Sequence, residues 1–274
     1  MHKKQLFGGA ALVAAVVFSA GAASADTFVN GGFEDGNANG WTQSGGQRGN
    51  LLNADLNAAN LASGAQSSTP DGGRGQIVTT SSIDPNVGAA IGSLVQSGAF
   101  AYRIEDTVAG GYATVLQQTV NNYTDSDIFF AWKSVLLGAH GPTDAATMII
   151  SLTDLTTGIE AIHREYNAAS GGGGVDARFS LLDNNYYTPD WQIEDLQITS
   201  GLQGHDFLLS VLASDCQPTA HWGYVYLDGF GSVAPPPGPI GGVPEPSTWA
   251  MLIVGMGLSG AALRRRRRHD LAPA

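Results

Sequence analysis

The central part of this chain predicts an all-β fold, an antiparallel β-sandwich, on three observations. Apolar residues alternate at period two through several stretches of roughly ten residues. Clusters of Gly, Asn, Asp, Ser, Thr and Pro separate those stretches, as in NNYTDSD, GAHGPTD, ASGGGGVD and SGLQGHD. No sustained 3.6-residue pattern intervenes, so strands follow strands without crossover helices.

The strands can be justified in turn. In DIFFAWKSVLLG (127–138), Ile128, Phe130, Trp132, Ser134 and Leu136 share one face, while Phe129, Ala131, Lys133, Val135 and Leu137 share the other. Both faces are mostly apolar, which predicts a strand covered on both sides. ATMIISLTD (146–154) and GIEAIHREY (158–166) flank the turn-like DLTTG and read as a hairpin. GYATVLQQTV (111–120), DFLLSVLAS (206–214) and HWGYVYLDGF (221–230) are further strands. In DWQIEDLQITS, Trp191 and Ile193 fall out of step with Leu196 and Ile198, which predicts a bulge near Glu194-Asp195. LLNADLNAANLASG (51–64) reads as a short helix or an insertion, and the acid pairs Glu105-Asp106 and Glu194-Asp195 read as solvated edges.

Both ends stand apart from this sandwich. The opening MHKKQLFGGAALVAAVVFSAGAASAD has a basic start, an apolar run and the small residues Ala23 and Ala25 that a signal peptidase requires. Residues 1–25 are therefore expected to be a signal peptide, with the sandwich occupying 26–232. A Pro/Gly linker, 233–243, isolates the tail, because such sequences extend and pack poorly. Residues 244–269 hold eighteen residues from Pro246 to Leu263, just enough for one transmembrane helix, then the stop Arg264, Arg265, Arg266, Arg267 and Arg268; 270–274 close the chain.

Between residues 26 and 233, six basic residues stand against 22 acidic ones, a formal charge of −16. Such a surface excludes nucleic acid as a partner and limits membrane contact to the C-terminal helix. The single cysteine, Cys216, excludes an intramolecular disulfide, so the fold depends on its core and on any bound ion.

The tail resembles a PEP-CTERM sorting signal through Pro244, Glu245 and Pro246, then Ser247 and Thr248, the apolar run and the arginines. The resemblance implies recognition by an exosortase at the inner membrane of a Gram-negative bacterium. The ectodomain would then stand in the periplasm, and the mature form at the cell surface or outside. FVNGGFEDGNANGWTQSG (28–45) resembles the first strand of galactose-binding-like jelly rolls and carbohydrate-binding modules through Asn30, Gly31, Phe33, Glu34, Gly40 and Trp41; GYVYLDGFGSV resembles their last strand. That resemblance implies a jelly roll in which Glu34 and Asp228 share a structural calcium, an ion suited to hard oxygen ligands. ASDCQPTAHWGYVYLDGF (213–230) resembles modules of bacterial surface proteins. Cys216 and His221 within it are two ligands, too few for a metal site, and read as packing at a loop-to-strand junction.

No nucleophile elbow, zincin helix, phosphate-binding loop or dinucleotide fingerprint appears, so no catalytic residue is assigned. DNNYYTPDW (183–191) reads as a loop in which Tyr186, Tyr187 and Trp191 offer faces to sugar rings, while Asn184 and Asp190 offer hydrogen bonds. The expectation is an exported, non-catalytic module that binds polysaccharide, calcium or both, in a biofilm or exopolysaccharide matrix. A glycan-active hydrolase or lyase and a purely structural adhesin stand as the alternatives.

Overall fold

The computed structural model describes residues 28–61, 73–138, 140–217 and 220–231. The expected signal peptide, linker, sorting helix and arginine stop lie outside these residues, and no helix among those described is long and apolar enough to cross a membrane. Twelve strands are described: β1 (Thr42–Gln47), β2 (Gly75–Thr79), β3 (Phe100–Ile104), β4 (Tyr112–Tyr123), β5 (Asp127–Leu137), β6 (Thr147–Asp154), β7 (Ile159–Asn167), β8 (Ser180–Leu182), β9 (Asn185–Tyr187), β10 (Gln192–Gln197), β11 (His205–Ser214) and β12 (Gly223–Asp228).

They form two antiparallel sheets, as the alternation predicts. One runs β1-β4-β11-β6-β7; the other runs β2-β3-β12-β5-β9-β8, with β10 also pairing with β5. The expected hairpin is present as β6 and β7. Inward-facing residues at every second position fill the space between the sheets: Leu116 and Val120 from β4, Phe207, Leu209 and Val211 from β11, and Phe130, Trp132, Val225 and Leu227 from the facing sheet. This is the face-to-face packing of a β-sandwich, with a jelly-roll arrangement.

Each sheet is also covered on its outer side. The 83–99 connection lays Val87, Ile91, Leu94 and Val95 over Val135, Tyr224 and Tyr226, which is why both faces of β5 are apolar. The 51–61 segment, two short 3₁₀ turns (Asn53–Asp55 and Ala58–Leu61), lays Leu56 and Leu61 on Ala113, Val115, Ile149 and Leu212.

Two expectations are corrected. β10 pairs with β5 in unbroken register from Gln192 opposite Trp132 to Gln197 opposite Asp127, so there is no bulge at Glu194-Asp195. The phase shift vanishes because Glu194 itself faces inward with Leu196 and Ile198; it accepts a hydrogen bond from Trp132 Nε1 at 3.0 Å. Glu105 is likewise fully buried rather than a solvated edge, because Thr114 Oγ1 (2.6 Å) and the Asp106 amide (3.1 Å) donate to its carboxylate.

Candidate functional site

The opening segment folds as a series of turns that its sequence specifies residue by residue. Asn30 takes φ = +50°, a conformation Asn tolerates better than most residues, and its side-chain amide donates to the Asn37 carbonyl at 2.9 Å. A Cβ on Gly31 would stand 2.2 Å from the Phe230 carbonyl oxygen, so only glycine allows the contact in which the Phe230 amide donates to the Gly31 carbonyl. Phe33 is fully buried and stacks on Tyr102, with Trp41 and Phe230 around it. Trp41 Nε1 donates to the Asn30 carbonyl. These contacts clamp the start of the sandwich onto the end of β12.

The clamp places Glu34 and Asp228 on either side of Gly32: a Cβ there would lie 3.6 Å from Glu34 Cγ and 3.7 Å from Asp228 Oδ1. One short segment addresses both carboxylates. The Gln96 and Ser97 amides donate to Asp228 Oδ2 at 2.9 and 3.1 Å, and the Ala99 and Phe100 amides donate to Glu34 at 3.0–3.2 Å. Gly98 separates the two amide pairs at φ = +70°, where a Cβ would strike the Glu34 carboxylate.

Asp228 is fully buried, yet its Oδ1 has no hydrogen-bond partner. Burial pushes this carboxyl up to about 6, against the lowering effect of the Ser97, Gln96 and Gly229 amides and with a smaller push from Glu34. Beside it is a cavity of about 280 Å³, whose lining includes Asn30, Gly31, Gly32, Glu34 and Ser97. A bare carboxylate oxygen, a second carboxylate and a backbone-rich wall make an oxygen-donor set, and such a set suits a hard cation.

The aromatic group near 183–191 is arranged differently from the expected loop. Asn185, Tyr186 and Tyr187 form β9 and pair with β5 and β8. Tyr186 packs on the main core, whereas Tyr187 and Trp191 pack on the outer cluster under the 83–99 connection, together with Trp222. The structure thus separates Tyr186 from Tyr187 and Trp191, as strand alternation requires. Asn184 and Asp190 are exposed. Trp191 Nε1 donates to the Ser93 carbonyl at 3.1 Å, Lys133 Nζ lies 5.7 Å from its ring centroid, and Trp222 Nε1 donates to Asn185 Oδ1 at 2.9 Å. Trp222 lies just before β12, more than thirty residues from Trp191, so no local pattern links it to the other rings.

Residues 242–268 match the PEP-CTERM protein-sorting motif. No curated protein matches the chain. Among solved structures, the chain is similar to TmCBM61 in complex with β-1,4-galactotriose, at 12% identity over 76% of this chain and 97% of that one, with a TM-score of 0.37. It is similar, too, to promiscuous carbohydrate-binding modules of the β-sandwich superfamily, at 12% identity over 73% and 59% with a TM-score of 0.36. A third similar structure is the enzymatically active domain of tailspike protein 4 from bacteriophage CBA120, at 10% identity over 75% and 21% with a TM-score of 0.36.

Proposed function

We propose that this chain is an exported surface protein whose sandwich is a non-catalytic, calcium-stabilised module that holds extracellular polysaccharide. The sorting motif at 242–268 supports the export route: a precursor anchored through its C-terminal helix and then processed by an exosortase. The observation on which the calcium reading rests is the unpartnered, buried Asp228 Oδ1 beside Gly32, which with Glu34 lines the adjacent cavity. Glu34, Asp228 and carbonyls of the 30–32 turn would hold the ion, which would join the first segment of the fold to its last strand. Calorimetric titration of calcium is expected to show one site in the wild type and none in Asp228→Asn. A wild-type chain without binding heat would overturn the calcium reading.

A polysaccharide ligand is supported by Tyr187, Trp191 and Trp222, three half-buried aromatic rings packed on one small cluster with exposed Asp190 beside them. Rings held in place this way offer sugar C–H faces a flat contact at little entropic cost. The non-catalytic reading is supported by Glu105 and Asp215. Burial raises both carboxyls, to about 7 and about 8, but both are fully buried and so out of reach of a polymer substrate. Affinity electrophoresis in gels containing bacterial exopolysaccharide should retard the wild type, and Trp191→Ala should migrate at least partly free. Equal mobility with and without polysaccharide would contradict glycan binding.

A further inference from the structure

β12 runs from a fully buried Gly223 to Asp228, roughly 17 Å of strand, and a second cluster of donor atoms lies just beyond its start. There the chain brings together His140, Cys216 and His221, one donor atom from each lying within 4.8 Å of the others. The sequence separates His140 from the other two by more than seventy residues, so spacing alone shows only a pair.

The fold fixes all three positions. The Cys216 amide donates to the His221 carbonyl at 3.0 Å, closing the 216–221 loop and setting Cys216 Sγ 3.1 Å from His221 Nδ1. The loop that bears His140 is tied down on two sides: the Ser170 amide donates to the His140 carbonyl, and the Gln217 amide donates to the Asp144 carbonyl. The His140 and His221 rings meet edge-to-face with centroids 4.7 Å apart. His140 Nδ1 faces Asp144 Oδ2 at 3.9 Å, while its Nε2 is buried without a hydrogen-bond partner, as is Asp144 Oδ1.

We propose that His140, Cys216 and His221 form a binding site for a borderline divalent transition-metal ion, zinc above all, with Asp144 as the carboxylate that orients His140. Two imidazoles and a sulfur select against calcium and magnesium and suit zinc. Tetrahedral zinc needs donor atoms about 3.3–3.8 Å apart, from its usual bonds to nitrogen and sulfur, so binding would open the Cys216–His221 pair slightly from 3.1 Å and hold all three donors closer than their 4.8 Å limit. A carboxylate on one nitrogen of a histidine whose other nitrogen binds metal is a common supporting arrangement. The buried Arg48 guanidinium lies near Cys216, Asp144 and Glu165, so acidic groups accompany the cation beside the site. A thiol–imidazole pair can also serve as a nucleophile and its base, but Cys216 is fully buried and no substrate carbonyl can reach it.

The test is cobalt titration of the metal-stripped, untagged full chain in detergent, followed by zinc displacement. The expected result is one equivalent of cobalt with tetrahedral visible bands and a thiolate-to-cobalt charge-transfer band, both erased by zinc. Cys216→Ser should remove the charge-transfer band, and His140→Ala should weaken binding at least tenfold. His163→Ala, which alters an exposed histidine on β7, should change neither. Zinc should raise the melting temperature of the wild type and of His163→Ala but not that of His140→Ala, a comparison that stands even if Cys216→Ser folds poorly. A wild-type chain without these bands, or the same spectrum and affinity in His140→Ala, would overturn the site. Calcium at Glu34 and Asp228 produces no such bands, so the two readings fail separately.

Discussion

Glu105 shows what a single residue does to the pH response of this fold. It adopts φ = +64°, is fully buried, and has its carboxyl pushed up to about 7, chiefly by burial and against the hydrogen bonds from Thr114 and Asp106. Between pH 4.5 and 7 the unfolded chain has lost this proton while the folded chain retains it. The group's contribution to stability therefore falls as pH rises through that window, by roughly 3 kcal/mol in all, and stays lost above it. Burial gives Asp215 the same sign, with its carboxyl raised to about 8. Denaturant titrations at pH 5 and pH 8 should show Glu105→Gln gaining on the wild type at the higher pH. An identical pH dependence in both proteins would show that Glu105 ionises normally in the fold. Nothing at Glu105-Asp106 in the sequence announces this, because the buried partner Thr114 and the salt-bridging Arg74, 3.7 Å away, come from other parts of the chain.

At the level of elements, the strands with clean alternation were readable and those with a functional or polar insertion were not. β4, β5, β6, β11 and β12 follow their hydrophobic pattern because both their inner and outer neighbours are apolar, whereas β7 turns one side to the core and leaves the other exposed. β9 reads as a loop because Asn184, Asn185 and Pro189 are turn formers, yet β5 offers it a free edge to pair with. β10 is misread at Glu194, where a charge occupies a core position whose partner, Trp132 Nε1, lies on β5. Glu194→Ala should cost about 1–3 kcal/mol by leaving that indole N–H unsatisfied, whereas Glu194→Gln, whose side-chain carbonyl can still accept from it, should avoid most of that loss. Equal urea midpoints for Glu194→Ala and the wild type would show that the bond contributes nothing. The site was half legible: the Asn30 to Trp41 pattern and Asp228 point to it, but the Gln96–Phe100 amides that address both carboxylates are backbone groups and leave no side-chain signature.

For the whole molecule, the acidic sandwich, the clamp between its first segment and last strand, and the sorting motif form one account. With no disulfide available from a single cysteine, the proposed calcium would stabilise the domain by joining the two ends of its fold. Thermal unfolding with and without calcium tests this most directly. At a calcium concentration about a hundredfold above the dissociation constant, binding adds about 2.7 kcal/mol, which should raise the melting temperature of the wild type by about 5–10 °C. Asp228→Asn, stripped of transition metal beforehand, should melt at the same temperature with calcium or without it. A wild-type melting temperature that ignores calcium would contradict the account.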